Sequence, residues 1–373
     1  MNIDSDKVYL YRVPIDQSTA PFSAYQELAS EALSKLSLVL PEAGTMLLKP
    51  NATVLHEPDR RIITHPGFLA GIIDTLVDQG VNAGRVLVAD GGTGESPESD
   101  FTWKNAGYAD LVASRGTHLK CFNEASGRPI AIEAGRVYQS LPIYEDVIDC
   151  AFLFNVPLAK CHNLGCTTLA MKNLMGVVVK PERHLCSIQE IDKPFEETIW
   201  RLTETGLSHF EDRFYDKLCD LLTAVRSLKM PRLSMVDGMI GRDGTAFNEG
   251  DNHPLGWTVI GENEVHVDSV ATYLMGLDPT MTPYLRAATE RGLGSNQISE
   301  IDVVDLASGE TMDAVALGQA RRPEPLMPIA GYGGRYYDRF GPDGAAVPWR
   351  LEDVNEQLKR DGKPPIVVEL RPC

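Results

Sequence analysis

Four short apolar runs, each breaking off abruptly in charged or glycine-bearing residues, constrain the fold of this chain more than any other feature. Thr45-Met46-Leu47-Leu48 runs into Lys49-Pro50-Asn51, and Arg85-Val86-Leu87-Val88-Ala89 into Asp90-Gly91. Ala151-Phe152-Leu153-Phe154-Asn155-Val156 runs into Pro157 and then Lys160-Cys161-His162, and Leu233-Ser234-Met235-Val236 into Asp237-Gly238. Continuous runs of this length suit strands covered on both faces, as in a parallel sheet. Between the first two, Phe68, Ile72, Leu76 and Val77 recur at helical spacing, with Thr64 as a cap, Pro66 in the first turn and Gly80 as a stop. Strand, helix, strand is a right-handed crossover unit. The expected fold is α/β, a mostly parallel Rossmann-like sheet with flanking helices in two lobes.

At 373 residues the chain exceeds one small core. The expected division is a Rossmann-like lobe over residues 1–150, a second α/β lobe over 151–320 that completes a crevice, and a covering C-terminal tail over 321–373. Periodicity places further helices over 24–40, 103–115, 195–205, 210–228, 269–276, 284–292 and 351–361. Strands are expected over 257–261, 265–268 and 366–370, with a hairpin over 131–138.

If the four polar-ended strands share a parallel sheet, their carboxyl ends open on one crevice. Lys49, Asn51, Asp90, Lys160, His162 and Asp237 would gather there. Gly92 and Thr93, in the glycine-rich loop after Asp90, could turn backbone amides toward an anion. Lys172 and Asn173 would return from a helix over 168–174 capped by Thr167 or Thr168. The catalytic candidates are therefore His162, Lys172 and Lys160, and the anion-binding candidates Lys49, Asn51, Asp90, Gly92, Thr93 and Asn173. A plainer reading is open beside this one, in which strand-end lysines and aspartates form structural salt bridges. A single divalent ion on Asp90, Asp237 and His162 is a further option. Cys161 and Cys166 around His162, or Cys186 beside His184, fit neither structural zinc nor cluster spacing, so an iron–sulfur cluster is not expected.

Composition narrows the partners. Lys and Arg number 35 against 52 Asp and Glu, a net charge of -17, and no basic run exists, which argues against nucleic acid. No window approaches the roughly 20 apolar residues of a membrane span, and Met1-Asn2-Ile3-Asp4-Ser5-Asp6 does not read as a signal peptide, so a cytoplasmic protein with no membrane partner is expected. The seven cysteines form no CxxC pair, and reduced thiols are the default. The expected partner is a small-molecule substrate, with self-association left open.

Lys49-Pro50-Asn51, Thr64-His65-Pro66, Asp90-Gly91, the stretch from Pro157 to His162, Lys172-Asn173-Leu174-Met175-Gly176, Val236-Asp237-Gly238 and Val267-Asp268 through Gly276 arrive in an order that resembles the domain of unknown function 362 family. The family name implies no activity, and the ferredoxin-type cysteine module of many relatives is missing here. A more distant likeness, to the amino-terminal lobe of nickel-pincer lactate racemases, implies a proton-transfer role for His162 and a pincer-type cofactor on Lys172. Thr93 would then stand near the second catalytic histidine of those enzymes, and its presence speaks against a two-base racemase.

The residues and the resemblance together point to an isomerase- or oxidoreductase-type enzyme. It would act on a small anionic organic substrate, a carboxylate or phosphate, by proton or hydride transfer. Lys49, Lys160 and Lys172 would hold the anion, and Lys160 would keep His162 neutral. The alternative is a non-catalytic redox, assembly or partner-binding protein using Tyr332-Gly333-Gly334-Arg335-Tyr336-Tyr337.

Overall fold

The computed structural model describes residues 3–53, 56–91, 101–162, 165–179, 209–244, 250–326, 329–330, 337–338 and 359. Gly92, Thr93, His184, Cys186, the helix expected over 195–205, all but residue 359 of the helix expected over 351–361, the strand expected over 366–370 and most of the tyrosine-rich tail lie outside the described residues.

The chain forms β1 (Lys7–Arg12), α1 (Phe22–Ser34), β2 (Met46–Pro50), α2 (Pro66–Asp78), β3 (Val86–Asp90), α3 (Phe101–Asn105), α4 (Tyr108–Arg115) and β4 (His118–Cys121). A hairpin of β5 (Gly127–Ala131) and β6 (Ser140–Tyr144) precedes α5 (Glu145–Ile148). Then come β7 (Phe152–Val156), β8 (Leu158–His162), β9 (Cys166–Thr168), α6 (Ala170–Asn173), α7 (His209–Ser227), β10 (Arg232–Met235), β11 (Asp237–Arg242) and β12 (Asn252–Gly261). Last are α8 (Glu264–Leu274), α9 (Pro283–Glu290), β13 (Asp302–Asp305) and α10 (Ala314–Ala320).

Eleven strands share one mostly parallel sheet. Its centre runs β4-β3-β2-β7-β10, all parallel. Numbered among themselves in chain order, these strands follow the 3-2-1-4-5 pattern of doubly wound folds, with the order reversing between β2 and β7. The boundary expected near residue 150 thus falls between strands that lie side by side, Lys49 opposite Asn155. β7 and β10 run beyond this edge as β8 and β11, again parallel to each other, with Leu158 opposite Asp237 and Lys160 opposite Arg242. β12 runs antiparallel to β10, β11 and β1.

Alternation explains the layers. In β2, Met46 and Leu48 join the core under α1 and α2 with Leu28, Phe68 and Ile72, while Leu47 joins the opposite core with Leu218, Leu221 and Leu222 of α7. A third core gathers Ala159, Cys161, Val259, Val267 and Val270 around α8.

Several local expectations need correction. Residues 265–268, read as a strand, begin α8, because the Asn263 side chain accepts from the N–H groups of Val265 and His266 and caps a helix there. Four residues of alternation were too few to separate the two periods. His65, not Thr64, caps α2, its Nδ1 accepting from Gly67 N–H at 3.0 Å. Neither Thr167 nor Thr168 caps α6, whose preceding residue is Leu169. The helix read over 103–115 breaks at Gly107, which adopts φ 77°. The strand read as ending at Asp237 resumes as β11 with that residue. Among the described residues no helix is long and apolar enough to cross a membrane.

Candidate functional site

The site lies where the strand order reverses. Lys49, at the end of β2, is 1% exposed, and its Nζ lies 2.8 Å from Asp90 Oδ1 at the end of β3. The same ammonium donates to Pro50 O at 3.0 Å and, at a long 3.4 Å, to Asn173 Oδ1. Asp90 Oδ2 accepts Ala52 N–H at 2.7 Å, and Oδ1 accepts Gly91 N–H. Asn173 Nδ2 reaches Asn155 Oδ1 at 2.8 Å, and Asn155 in turn donates to Ala170 O and Ser234 Oγ. Lys49, Asp90, Asn155 and Asn173 therefore form one buried network in which the charge of Lys49 is neutralised by Asp90. This is the salt bridge of the plainer reading.

β8 supplies the second layer. Ala159 and Cys161 face the α8 core; by alternation Lys160 and His162 point to the other side. Lys160 Nζ donates to Asn51 Oδ1 at 2.7 Å and to Ile62 O at 2.6 Å, and no carboxylate pairs with it among the described residues. Burial first, then the charges of Lys172, Arg242 and Arg61, hold its pKa well below the ordinary lysine value; Asp90 opposes them. His162 is likewise held well below its ordinary value, by burial and then by Lys172 and Lys160. Its Nδ1 accepts Gly165 N–H at 3.3 Å, so the neutral ring carries its proton on Nε2. Lys160 does keep His162 neutral, but as the smallest of three causes.

Lys172 sits half-buried in α6, close enough to depress both Lys160 and His162. Four residues cannot hold a helical turn unaided. Asp268 of α8 secures it by accepting Ala170 N–H at 2.6 Å and Met171 N–H at 3.0 Å. Tyr284 OH donates to the same carboxyl group at 3.1 Å, and burial pushes that group up to about 8 against these bonds.

Three charged groups were not read as site residues from sequence. Arg61, at φ 54°, is 1% exposed and pairs with Asp237 at 2.8 Å, donates to Ile240 O and lies over the Tyr25 ring. Asp237 also accepts His65 N–H at 2.9 Å, tying β11 to the start of α2. Arg242 stands opposite Lys160 in the β8 and β11 pair. Asp268 completes the set. A positive φ at arginine has no sequence signature, and neither Arg242 nor Asp268 follows an apolar run.

The structure brings Lys49, Asn51, Asp90, Lys160, His162, Lys172 and Asn173 into one largely buried cluster. Asp237 belongs to its structural frame. The carboxylates of Asp90 and Asp237 are taken by Lys49 and Arg61, and no group of three or more His, Cys, Asp or Glu side chains gathers to hold a metal ion among the described residues.

A family model described as a domain of unknown function, DUF362, matches residues 46–273. A thylakoid-associated protein of Synechocystis sp. is 25% identical over 299 residues, which cover 80% of this chain and 82% of that protein. Among solved structures, the lactate racemase apoprotein of Thermoanaerobacterium thermosaccharolyticum is similar at 11% identity over 70% of this chain, with a TM-score of 0.41. A protein from Thermotoga maritima is similar at 10% identity over 65% of this chain, with a TM-score of 0.39. This chain spans 55% of the length of each of those two structures.

Proposed function

We propose, for a chain that belongs to the DUF362 family, an enzyme that binds a small organic carboxylate in this crevice and transfers a proton at the carbon beside it. One observation carries the reading: Lys160 is buried near Lys172 and Arg242 and, among the described residues, bonded only to the uncharged Asn51 Oδ1 and Ile62 O, while the carboxylates of Asp90 and Asp237 are taken by Lys49 and Arg61. Cations crowded out of water raise one another's cost, and an anion placed among them lowers it. In an acidic chain of net charge -17, such a concentration is not a general surface property.

The roles follow from the groups. Lys172 and Arg242 hold the carboxylate. His162, neutral and protonated on Nε2, donates a hydrogen bond to the substrate oxygen and stabilises charge developing there; a neutral imidazole is an effective electrophile of this kind. Lys160, whose pKa burial and the neighbouring charges hold well below the ordinary lysine value, accepts the proton from carbon in its uncharged form. Low local polarity strengthens each of these interactions.

Exchange of carbon-bound hydrogen with solvent tests the proposal. The full chain is incubated in D2O with pyruvate, glyoxylate and the two lactate enantiomers, and proton NMR follows the signals. Exchange that depends on His162 and Lys160 supports the reading. Wild-type protein that exchanges none of these, or His162→Ala protein that exchanges as fast as wild type, would overturn it.

A further inference from the structure

Lys160 invites another use of its lone pair, as a nucleophile in place of a base. An ammonium has three N–H groups and an uncharged amine two. Lys160 shows two acceptors, Asn51 Oδ1 and Ile62 O, both uncharged. Contrast Lys49, equally buried, which lies on the Asp90 carboxylate. Two buried lysines, one near the end of β2 and one within β8, are thus treated in opposite ways, one neutralised by a partner and the other given acceptors for two hydrogens only. The second arrangement matches an uncharged amine, which is the nucleophilic form of lysine.

We propose that Lys160 is a Schiff-base lysine, condensing with the carbonyl carbon of a small 2-oxo carboxylate whose carboxylate is held by Lys172 and Arg242. The inference rests on the crevice being a carboxylate site. The Nζ lone pair forms the C–N bond while the carbonyl π pair moves to oxygen, next to His162 Nε2–H. Both amine hydrogens then leave with that oxygen as one water molecule, His162 passing a proton between them, and a C=N bond remains. No oxidant or reductant enters. Taking up one proton from solvent, the imine nitrogen gains an N–H for Asn51 or Ile62 and draws electrons from the adjacent C–H or C–C bond.

Reductive trapping tests this. The full chain is treated with pyruvate, and separately glyoxylate, in the presence of sodium cyanoborohydride, then digested and mapped by mass spectrometry. The expected result is a stable adduct on the peptide containing Lys160, absent with lactate, which has no carbonyl. Lys160→Gln is the chosen control, because its amide can still donate two N–H groups to Asn51 and Ile62 while offering no amine. It should fold, with unchanged circular dichroism, and take no label at this position. Label spread over other lysines with Lys160 bare, or no label at all, would overturn the proposal. Thermal stabilisation by pyruvate, measured in the same samples without reductant, separates the two levels. Stabilisation without an adduct leaves the carboxylate site standing and removes the Schiff base, and loss of both removes the site as well.

Discussion

Lys49 Nζ and Asp90 Oδ1 lie 2.8 Å apart under Gly176, where an added Cβ would stand 2.1 Å from that oxygen and 2.8 Å from the ammonium. The Ala52 and Gly91 amides hold the Asp90 carboxylate in that place. Gly176→Ala should therefore destabilise the fold by about 1–3 kcal/mol through overpacking. Lys49→Met or Asp90→Asn should cost more, about 3–5 kcal/mol, since each strands a buried charge. Urea denaturation of the three variants checks the order.

His65 should make the protein acid-sensitive. Burial, then the charge of Arg61, pushes its pKa down to about 2, whereas an unfolded histidine titrates near 6.5. Between these values the unfolded chain holds a proton that the folded chain does not. Stability is thus fully present above pH 6.5 and drains as pH falls, by up to about 1.4 kcal/mol per unit from this group. His65→Asn retains a capping side chain without the titration. Denaturation measured at pH 4 to 7 should show a shallower slope for the variant, whatever constant it loses from the Tyr25 stack.

Asp268 should act on the site through α6. Asp268→Ala leaves the Ala170 and Met171 amides without their acceptor, a loss of about 1–3 kcal/mol. Hydrogen exchange should quicken at those two amides and stay unchanged in β2 and β3. The group also gives a pH signature opposite to that of His65. Its folded value of about 8 lies above that of an unfolded aspartate, so its contribution is present in acid and lost as pH rises through about 8.

Arg61 ties the segment between β2 and α2 to β11 through one guanidinium. Arg61→Lys keeps the charge but cannot reach Asp237 and Ile240 O with the same fork. Unfolding should become easier by about 1–3 kcal/mol, with a larger loss for Arg61→Ala, and calorimetric midpoints would rank them.

Much of the frame was legible in sequence because it rests on short-range pattern. The strand ends at Lys49, Asp90 and Val156 follow from apolar runs that cannot continue into charge, and α2 and α7 from residues repeating at helical spacing. What escaped depends on distant partners. Nothing near Lys49 says that Asp90, 41 positions on, cancels its charge, and nothing near Lys160 says that its acceptors are neutral. The cap of α6 comes from Asp268, which no local capping rule can find. Alternation in Val265-His266-Val267-Asp268 misled for a related reason, since Asn263 decides that segment through a side-chain bond to its own backbone.

The central claim is that Lys172 and Arg242 hold a small carboxylate beside Lys160 and His162. Calorimetric titration of the full chain with pyruvate, glyoxylate and lactate tests it most directly, alongside the Lys172→Met and Arg242→Met variants. A saturable heat with at least one of them, weakened about 10- to 100-fold in each variant as one charged hydrogen bond is lost, is the predicted result. Binding of none of the three, or binding that both variants leave unchanged, would contradict it.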